Sequence, residues 1–181
     1  MSSRTRSPVR KDDGFTLMEV LVALVIFTVG LLGVVSIQYN SLRGNQQALH
    51  RSIAASLAAD GADRVRANSP GAASGQYDEI LAAGTDPGCI DTGCSDAELA
   101  AYDAFEWIST IEQQLPSGQG VICRDSTPYD GTGSADGENG CDGDAASGMF
   151  AIKIWWDHDR GATDGAGNET PLMAYRVSLI P

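Results

Sequence analysis

Apolar residues form one unbroken stretch near the start of the chain. Residues 15–37 read FTLMEVLVALVIFTVGLLGVVSI, which is 23 residues with a single charged side chain. At about 1.5 Å per residue, a helix of this length crosses a hydrocarbon core of roughly 30 Å. The pattern therefore predicts a transmembrane helix.

The helical pattern continues beyond this stretch, but with only one apolar face. Apolar residues and glycine recur at intervals of three, four or seven, at Leu42, Leu49, Ile53, Leu57, Gly61 and Val65. Residues 68–71 (NSPG) are typical of a helix stop. We therefore expect one helix over residues 15–67, with a membrane half (15–37) and an amphipathic half (38–67) that packs on a domain.

A second helix is predicted after a loop that covers residues 71–94. Residues 95–98 (SDAE) fit a capping box, and Pro116 ends the helix. The expected apolar face consists of Ala101, Ala104, Phe105, Ile108, Ile111 and Leu115.

Strand patterns follow in residues 120–124, 149–156 and 172–180. A long helix followed by such strands indicates an α+β fold, in which the amphipathic half-helix covers a small antiparallel sheet. Residues 68–181 would form the globular part.

Basic residues cluster just before the predicted span and have no strong counterpart just after it. Four of them lie in residues 1–14, whereas Arg43 is the only one soon after the span. Positive residues stay on the cytoplasmic side, so the globular part should be exported. The expected location is a single pass through a bacterial inner membrane, with a periplasmic C-terminal domain.

The length, apolar content and net charge of the chain indicate one acidic globular domain. A chain of 181 residues that is 43% apolar suits one globular domain plus an additional element. Its formal charge is −12, and almost all acidic residues follow Asp60. Such a surface repels phosphate groups, so no nucleic acid partner is predicted.

Four cysteines, Cys89, Cys94, Cys123 and Cys141, all lie beyond the span, which suits an oxidising compartment. Three pairings are possible, and we favour Cys89 with Cys94 and Cys123 with Cys141 because these close the shortest loops. The spacings differ from those of a paired C-x-x-C zinc site.

Two polar segments are candidates for a metal site or a catalytic site. The acidic, glycine-rich residues 125–148 could bind calcium through carboxylates, but the EF-hand pattern is absent. A solvated loop closed by Cys123 and Cys141 is the simpler interpretation. Residues 157–161 (DHDRG) are interpreted as a polar turn, because no nucleophile motif or phosphate loop accompanies them. We therefore predict no catalytic residue, no metal and no cofactor.

The start of the apolar stretch resembles a known signal. Residues 11–20 (KDDGFTLMEV) are similar to the prepilin signal of type IV pilins and pseudopilins, matching at Gly14, Phe15 and Glu19. The resemblance implies a pilin fold, removal of residues 1–14 by prepilin peptidase, and N-methylation of Phe15.

The resemblance also implies that Glu19 pairs with the new amine of a neighbouring subunit. A lone carboxylate in a lipid-exposed helix costs a few kcal/mol, so a partner is expected. Snorkelling or protonation of Glu19 near the membrane boundary stays open.

Later motifs resemble a subfamily. Residues 103–107 (DAFEW) and 115–121 (LPSGQGV) are similar to PilV-type minor pilins and to minor pseudopilins of type II secretion, with weaker likeness at 155–157 and 175–177. The resemblance implies that the chain joins other minor pilins and the major pilin to prime type IV pilus assembly. It would lie in the filament or at its tip and support twitching motility and adhesion. A minor pseudopilin and a tip adhesin are the alternatives.

Overall fold

The computed structural model describes residues 14–133, 138–158 and 172–180. Contacts divide the chain into two units, the first ending at Asn45 and the second beginning at Gln46. The described elements are helices α1 (Leu17–Ala67), α2 (Ser69–Ala73), α3 (Cys89–Thr92) and α4 (Asp96–Gln114), a 3-10 turn (Ala145–Ser147), and strands β1 (Glu79–Ile80), β2 (Gln119–Arg124), β3 (Phe150–Trp156) and β4 (Met173–Leu179).

The predicted stop signal ends α1 and also starts the next helix. Asn68 follows Ala67, and its side-chain oxygen accepts a hydrogen bond from the backbone N–H of Gly71 at 3.2 Å. Pro70, in the first turn of α2, has no N–H to leave unpaired. The predicted loop over residues 71–94 was therefore wrong in part, because it contains the end of α2, β1 and α3.

The packed face of α1 is shorter than predicted. Leu42 and Leu49 are 64% and 58% exposed, so their assignment to the packed face was wrong. The buried positions begin later and are mostly small: Ala54, Leu57, Ala58, Gly61, Ala62 and Val65. Small side chains let other elements approach the helix backbone closely.

The four strands form one antiparallel sheet in the order β1-β2-β3-β4. The three predicted strands agree with β2, β3 and β4 within one residue at each end. β1 has only two residues, paired with Cys123 and Ile122. So short a strand has no period that a sequence pattern could show. The sheet and the long helix confirm the predicted α+β fold.

Helix α4 begins as predicted but buries a different face. Ser95 and Glu98 form the reciprocal capping box. Ala101 is exposed and Phe105 only half-buried, which corrects two of the predicted core residues. Trp107 is fully buried instead, and its Nε1 donates to the backbone oxygen of Leu57 in α1 at 2.8 Å.

Two glycines make room for this indole. A methyl group at Gly61 in α1 would lie 3.0 Å from the ring of Trp107, and one at Gly120 in β2 would lie 2.9 Å from it. Contacts this close are tighter than normal van der Waals packing. Trp107 therefore joins α4, α1 and the sheet at a place where only glycine leaves space.

A buried polar cluster joins the end of α1 to α4. The hydroxyl of Tyr77 donates to Asp103 at 2.5 Å, and Arg64 donates to the other oxygen of Asp103 at 3.1 Å. Asn68 donates to the Tyr77 oxygen at 3.2 Å and to the backbone oxygen of Asp96 at 2.7 Å. Burial, together with the bond to Asp103, raises the pKa of Tyr77 well above its ordinary value. The tyrosine therefore stays a neutral hydrogen-bond donor in this cluster.

Strand β3 is buried along both of its faces. Phe150, Ile152, Ile154 and Trp156 join the main core with α1 and α4. The alternate residues, Ala151, Lys153 and Trp155, point to the opposite face because side chains alternate along a strand. Ala151 and Trp155 lie in a second apolar cluster with Val121 and Cys123. The sheet therefore has a covered outer face.

Candidate functional site

The sequence-predicted site residues fall into two sets. Gly14, Phe15 and Glu19 lie in the first unit, and the four cysteines lie in the second. Gly14 is exposed in non-helical backbone, and the Phe15 side chain is 82% exposed. The peptide bond between Gly14 and Phe15 therefore lies in an accessible, non-helical segment just before α1. A peptidase requires this kind of access.

Glu19 lies in the first turn of α1 and is exposed. Its backbone N–H donates to the side-chain oxygen of Thr16 at 3.3 Å, so Thr16 acts as the N-cap. A carboxylate in this position is stabilised by the helix dipole. The sequence contains no lysine or arginine between Gly14 and Leu42. The spacing of Thr16 and Glu19 is that of a capping box, so the sequence itself carries a signal for the start of α1 at this point.

The first half of α1 presents an apolar surface. It is long and apolar enough to cross a membrane, and none of its most apolar stretch is buried. An apolar surface of this size needs lipid or other helices to cover it. The large apolar side chains that are at least 60% exposed between residues 15 and 39 are Phe15, Leu17, Met18, Ile26, Phe27, Val29, Leu32, Ile37 and Tyr39.

The cysteines form the two pairs that loop length favoured. Cys89 and Cys94 are joined around the short helix α3, just before α4. Cys123 in β2 is joined to Cys141. The second bridge anchors the loop between β2 and β3 (residues 125–149, hereafter the β2–β3 loop) to the sheet.

The described part of the β2–β3 loop folds over the outer face of the sheet. Lys153 projects from β3 on that face and is 0% exposed. Its Nζ lies 2.5 Å from Asp125 Oδ2 and 2.8 Å from Asp130 Oδ1. It also donates to the backbone oxygens of Asn139 at 3.0 Å and Gly140 at 3.1 Å. One buried ammonium therefore binds two separate parts of the loop, residues 125–130 and residues 139–140.

A second cation also binds the loop to the sheet, and a serine links two parts of the loop to each other. Arg176 in β4 is paired with Lys153 across the strands, and its Nη2 donates to the backbone oxygen of Gly131 at 2.6 Å. Like charges opposite each other destabilise a sheet unless they are compensated, and the loop oxygens compensate both. Within the loop, the backbone N–H and hydroxyl of Ser126 both donate to Asp142.

Lys153 is not among the residues that the sequence patterns indicated. The acidic segment was predicted to be a solvated loop, which is wrong for Asp125, because this residue is fully buried and paired with Lys153. A lysine between isoleucines in a strand is a usable signal, because a buried charge needs a partner and an acidic insert precedes it. Among the carboxylates of the acidic segment that was considered for calcium, those of Asp125 and Asp130 contact the Lys153 ammonium. Asp136, a further carboxylate of this segment, lies outside the described residues.

Among the described residues of the second unit, three carboxyl groups have lowered pKa values. A backbone N–H of the capping residue holds down the pKa of Glu98 in α4. The Lys153 ammonium lowers the pKa of Asp130, and the Ser126 hydroxyl lowers that of Asp142. Each cause favours the ionised carboxylate of the folded chain.

These shifts predict acid-sensitive stability. A carboxyl group with a lower pKa when folded contributes stability above its ordinary pKa of about 4, and loses it as pH falls through the lowered value. We expect the thermal midpoint to be flat from about pH 5 to 7 and to fall below about pH 4. Replacing Asp130 and Asp142 by Asn should lower the midpoint at pH 7 and make the acid fall shallower. Circular dichroism melts across this range test it, and an unchanged acid slope in the double variant would contradict it.

The remaining polar motif, residues 157–161, directly follows β3. The backbone N–H of Asp157 donates to the Pro116 oxygen at 2.9 Å, and residues 159–161 of the motif lie outside the described part. Over residues 14–133, 138–158 and 172–180, no group of three or more His, Cys, Asp or Glu could hold a metal ion.

Comparison with known families adds two matches. Residues 9–35 match a family model described as the prokaryotic N-terminal methylation motif. Residues 36–105 match a model described as type IV pilin Tt1218 (Tt1218-like). No curated protein and no solved structure gives a significant match. The two matches adjoin at residue 35 and end within α4.

Proposed function

We propose that this chain, a type IV pilin that carries the N-terminal methylation motif, is a minor pilin of the PilV type. Pilins are structural subunits of pilus or pseudopilus assembly, so its role is assembly rather than catalysis. The PilV assignment rests on the DAFEW and LPSGQGV segments at residues 103–107 and 115–121, of which only residues 103–105 fall within a family match.

The observation that carries the pilin part of this proposal is the first half of α1. It is an exposed apolar helix that begins directly after an accessible Gly14–Phe15 bond, with Glu19 as its only charge before Arg43. Cleavage at that bond keeps the whole helix and creates an amine on Phe15. A secretory signal peptide loses its apolar part instead. The retained helix anchors the precursor in the inner membrane and then packs among other subunits.

The partners follow from this placement. Prepilin peptidase cuts between Gly14 and Phe15 and methylates the Phe15 amine. The domain from residue 68 onward stands in the periplasm, where its two disulfides form. Other minor pilins and the major pilin then take up the chain, with the Glu19 carboxylate facing the amine of a neighbour. Pili primed in this way support twitching motility and adhesion.

A deletion strain tests the assignment. Loss of surface pili and twitching with intact exoprotein secretion supports the minor pilin. Intact pili with blocked secretion would identify a minor pseudopilin of type II secretion instead. Mass spectrometry of the complemented protein should give a methylated N-terminus at Phe15. A mature chain that retains residues 1–14 would overturn the proposal at its base.

One observation favours an additional binding role. The side chain of Tyr129 in the β2–β3 loop is 74% exposed, in an open cleft lined by Pro128, Met149 and Ser178. If this surface contacts a host or partner, Tyr129→Ser should reduce adhesion severalfold and leave pilus number unchanged, because it leaves the Lys153 contacts in place. Piliation and adhesion are scored separately in the same strain. Equal loss of both would assign the loop to assembly.

A further inference from the structure

The charge at the centre of the β2–β3 loop is supplied by the protein itself. Lys153 is fully buried on a face of the sheet that also carries an apolar cluster, Val121, Cys123, Ala151 and Trp155, and its cross-strand neighbour Arg176. A lone ammonium in such surroundings is costly, and it persists only where oxygen atoms surround it. The structural role of Lys153 is therefore to bind the oxygen atoms of the β2–β3 loop.

The oxygens around Lys153 outnumber its hydrogens. Besides the four contacts already described, the backbone oxygen of Asp130 lies 3.5 Å from Nζ, giving five oxygens around one atom. An ammonium has three N–H donors, so it cannot satisfy all five with linear hydrogen bonds. Oxygens that converge on a point in this way resemble the shell of a cation more than a set of directed bonds.

The chemistry of these oxygens is that of a site for a hard cation. Two belong to carboxylates and three to backbone carbonyls, which are the ligands that calcium takes. The carboxylates of Asp125 and Asp130 both face the Lys153 ammonium, whereas Arg176, the second cation on this face, donates to the backbone oxygen of Gly131. Asp125 is fully buried, and the side chain of Asp130 is 51% exposed. A divalent ion at the same point would balance both.

We propose that the Lys153 ammonium is the resident cation of this five-oxygen site, and that it makes the loop independent of divalent metal. The loop, with the Tyr129 surface that it presents, then keeps its shape whether or not calcium is present outside the cell. Shortening the lysine leaves an oxygen cage, with space for waters, that binds calcium.

Thermal melting of the full chain in detergent tests this, with calcium or a chelator added. For the native chain we expect the same midpoint in both. Lys153→Ala should lower the midpoint by about 10 °C or more in chelator, because Asp125 is left buried and unpaired. Calcium should restore at least half of that loss, and calorimetry should detect one site that the native chain lacks.

Lys153→Met is the matched control. Its side chain fills the space of the lysine without a charge, so the variant should be destabilised similarly but gain nothing from calcium. If Lys153→Ala does not fold in chelator, folding in calcium but not in sodium counts as the same positive result.

Two outcomes would overturn the proposal. A native chain whose midpoint moves with calcium or chelator already binds metal beside Lys153. A Lys153→Ala chain that neither binds calcium nor folds with it shows that the five oxygens are not arranged for a cation.

Discussion

A Glu19→Gln variant is expected to be cleaved and methylated normally but to be nearly absent from filaments. In the proposed assembly the carboxylate pairs with the Phe15 amine of a neighbour among apolar helices. Removing one partner of a buried ion pair costs about 3 to 5 kcal/mol, because the other charge stays buried and unpaired. At about 1.4 kcal/mol per factor of ten, incorporation should fall by roughly a hundredfold or more.

The structure supplies a control that separates pairing from helix capping. Glu19 also stands at the third position of α1, where Thr16 caps its backbone N–H. Glutamine leaves the bond between the residue-19 backbone N–H and Thr16 in place but loses the charge. Thr16→Ala does the reverse: it loses the cap, at a cost of about 1 kcal/mol, and keeps the carboxylate.

Immunoblots of sheared filaments against membrane fractions measure incorporation, and mass spectrometry measures processing. Failure of Glu19→Gln with success of Thr16→Ala supports the ion pair. Failure of Thr16→Ala with normal Glu19→Gln would mean that Glu19 serves the helix terminus, and that the proposed ion pair is absent. Normal incorporation of Glu19→Gln, whatever the result for Thr16→Ala, would also contradict the proposed ion pair.

Trp107→Ala is expected to give the largest loss of domain stability. Trp107 is fully buried, contacts Gly61 and Gly120 closely and donates to the Leu57 oxygen. Truncating a buried tryptophan costs about 3 to 5 kcal/mol, since the surrounding backbone cannot close the cavity. This is a large part of the roughly 5 to 15 kcal/mol that stabilises a typical domain. The free energy of unfolding, from denaturant titration in detergent, tests this.

Phe105→Ala is the matched control, because it removes another aromatic ring from the same helix. Phe105 is only half-buried, and we expect its loss to cost less than about 1.5 kcal/mol. Trp107→Phe should fall between the two, since it keeps most of the ring volume and loses the hydrogen bond to α1. If Phe105→Ala were as damaging as Trp107→Ala, the observed face of α4 would be wrong.

The sequence by itself determined the elements whose signal is local. The apolar stretch and the stop after Ala67 indicated α1, and the Ser95–Glu98 capping box indicated the start of α4. The strand patterns predicted β2, β3 and β4 within one residue at each end, with alternation as the signal for β3 and β4. Loop length favoured the cysteine pairs that the structure contains. Each of these depends on neighbours a few residues apart, or on the short closure of a loop.

Only the tertiary structure decided which side of each element is buried. It rotated the buried face of α4 from Phe105 to Trp107, because the glycines that admit the indole lie in α1 and β2. It left Leu42 and Leu49 exposed although their spacing matches the packed residues. It also placed the acidic β2–β3 loop over the outer face of the sheet, where Lys153 of the following strand binds its carboxylates. These results depend on which residues distant in sequence meet in space, and a helical or strand period carries no information about that.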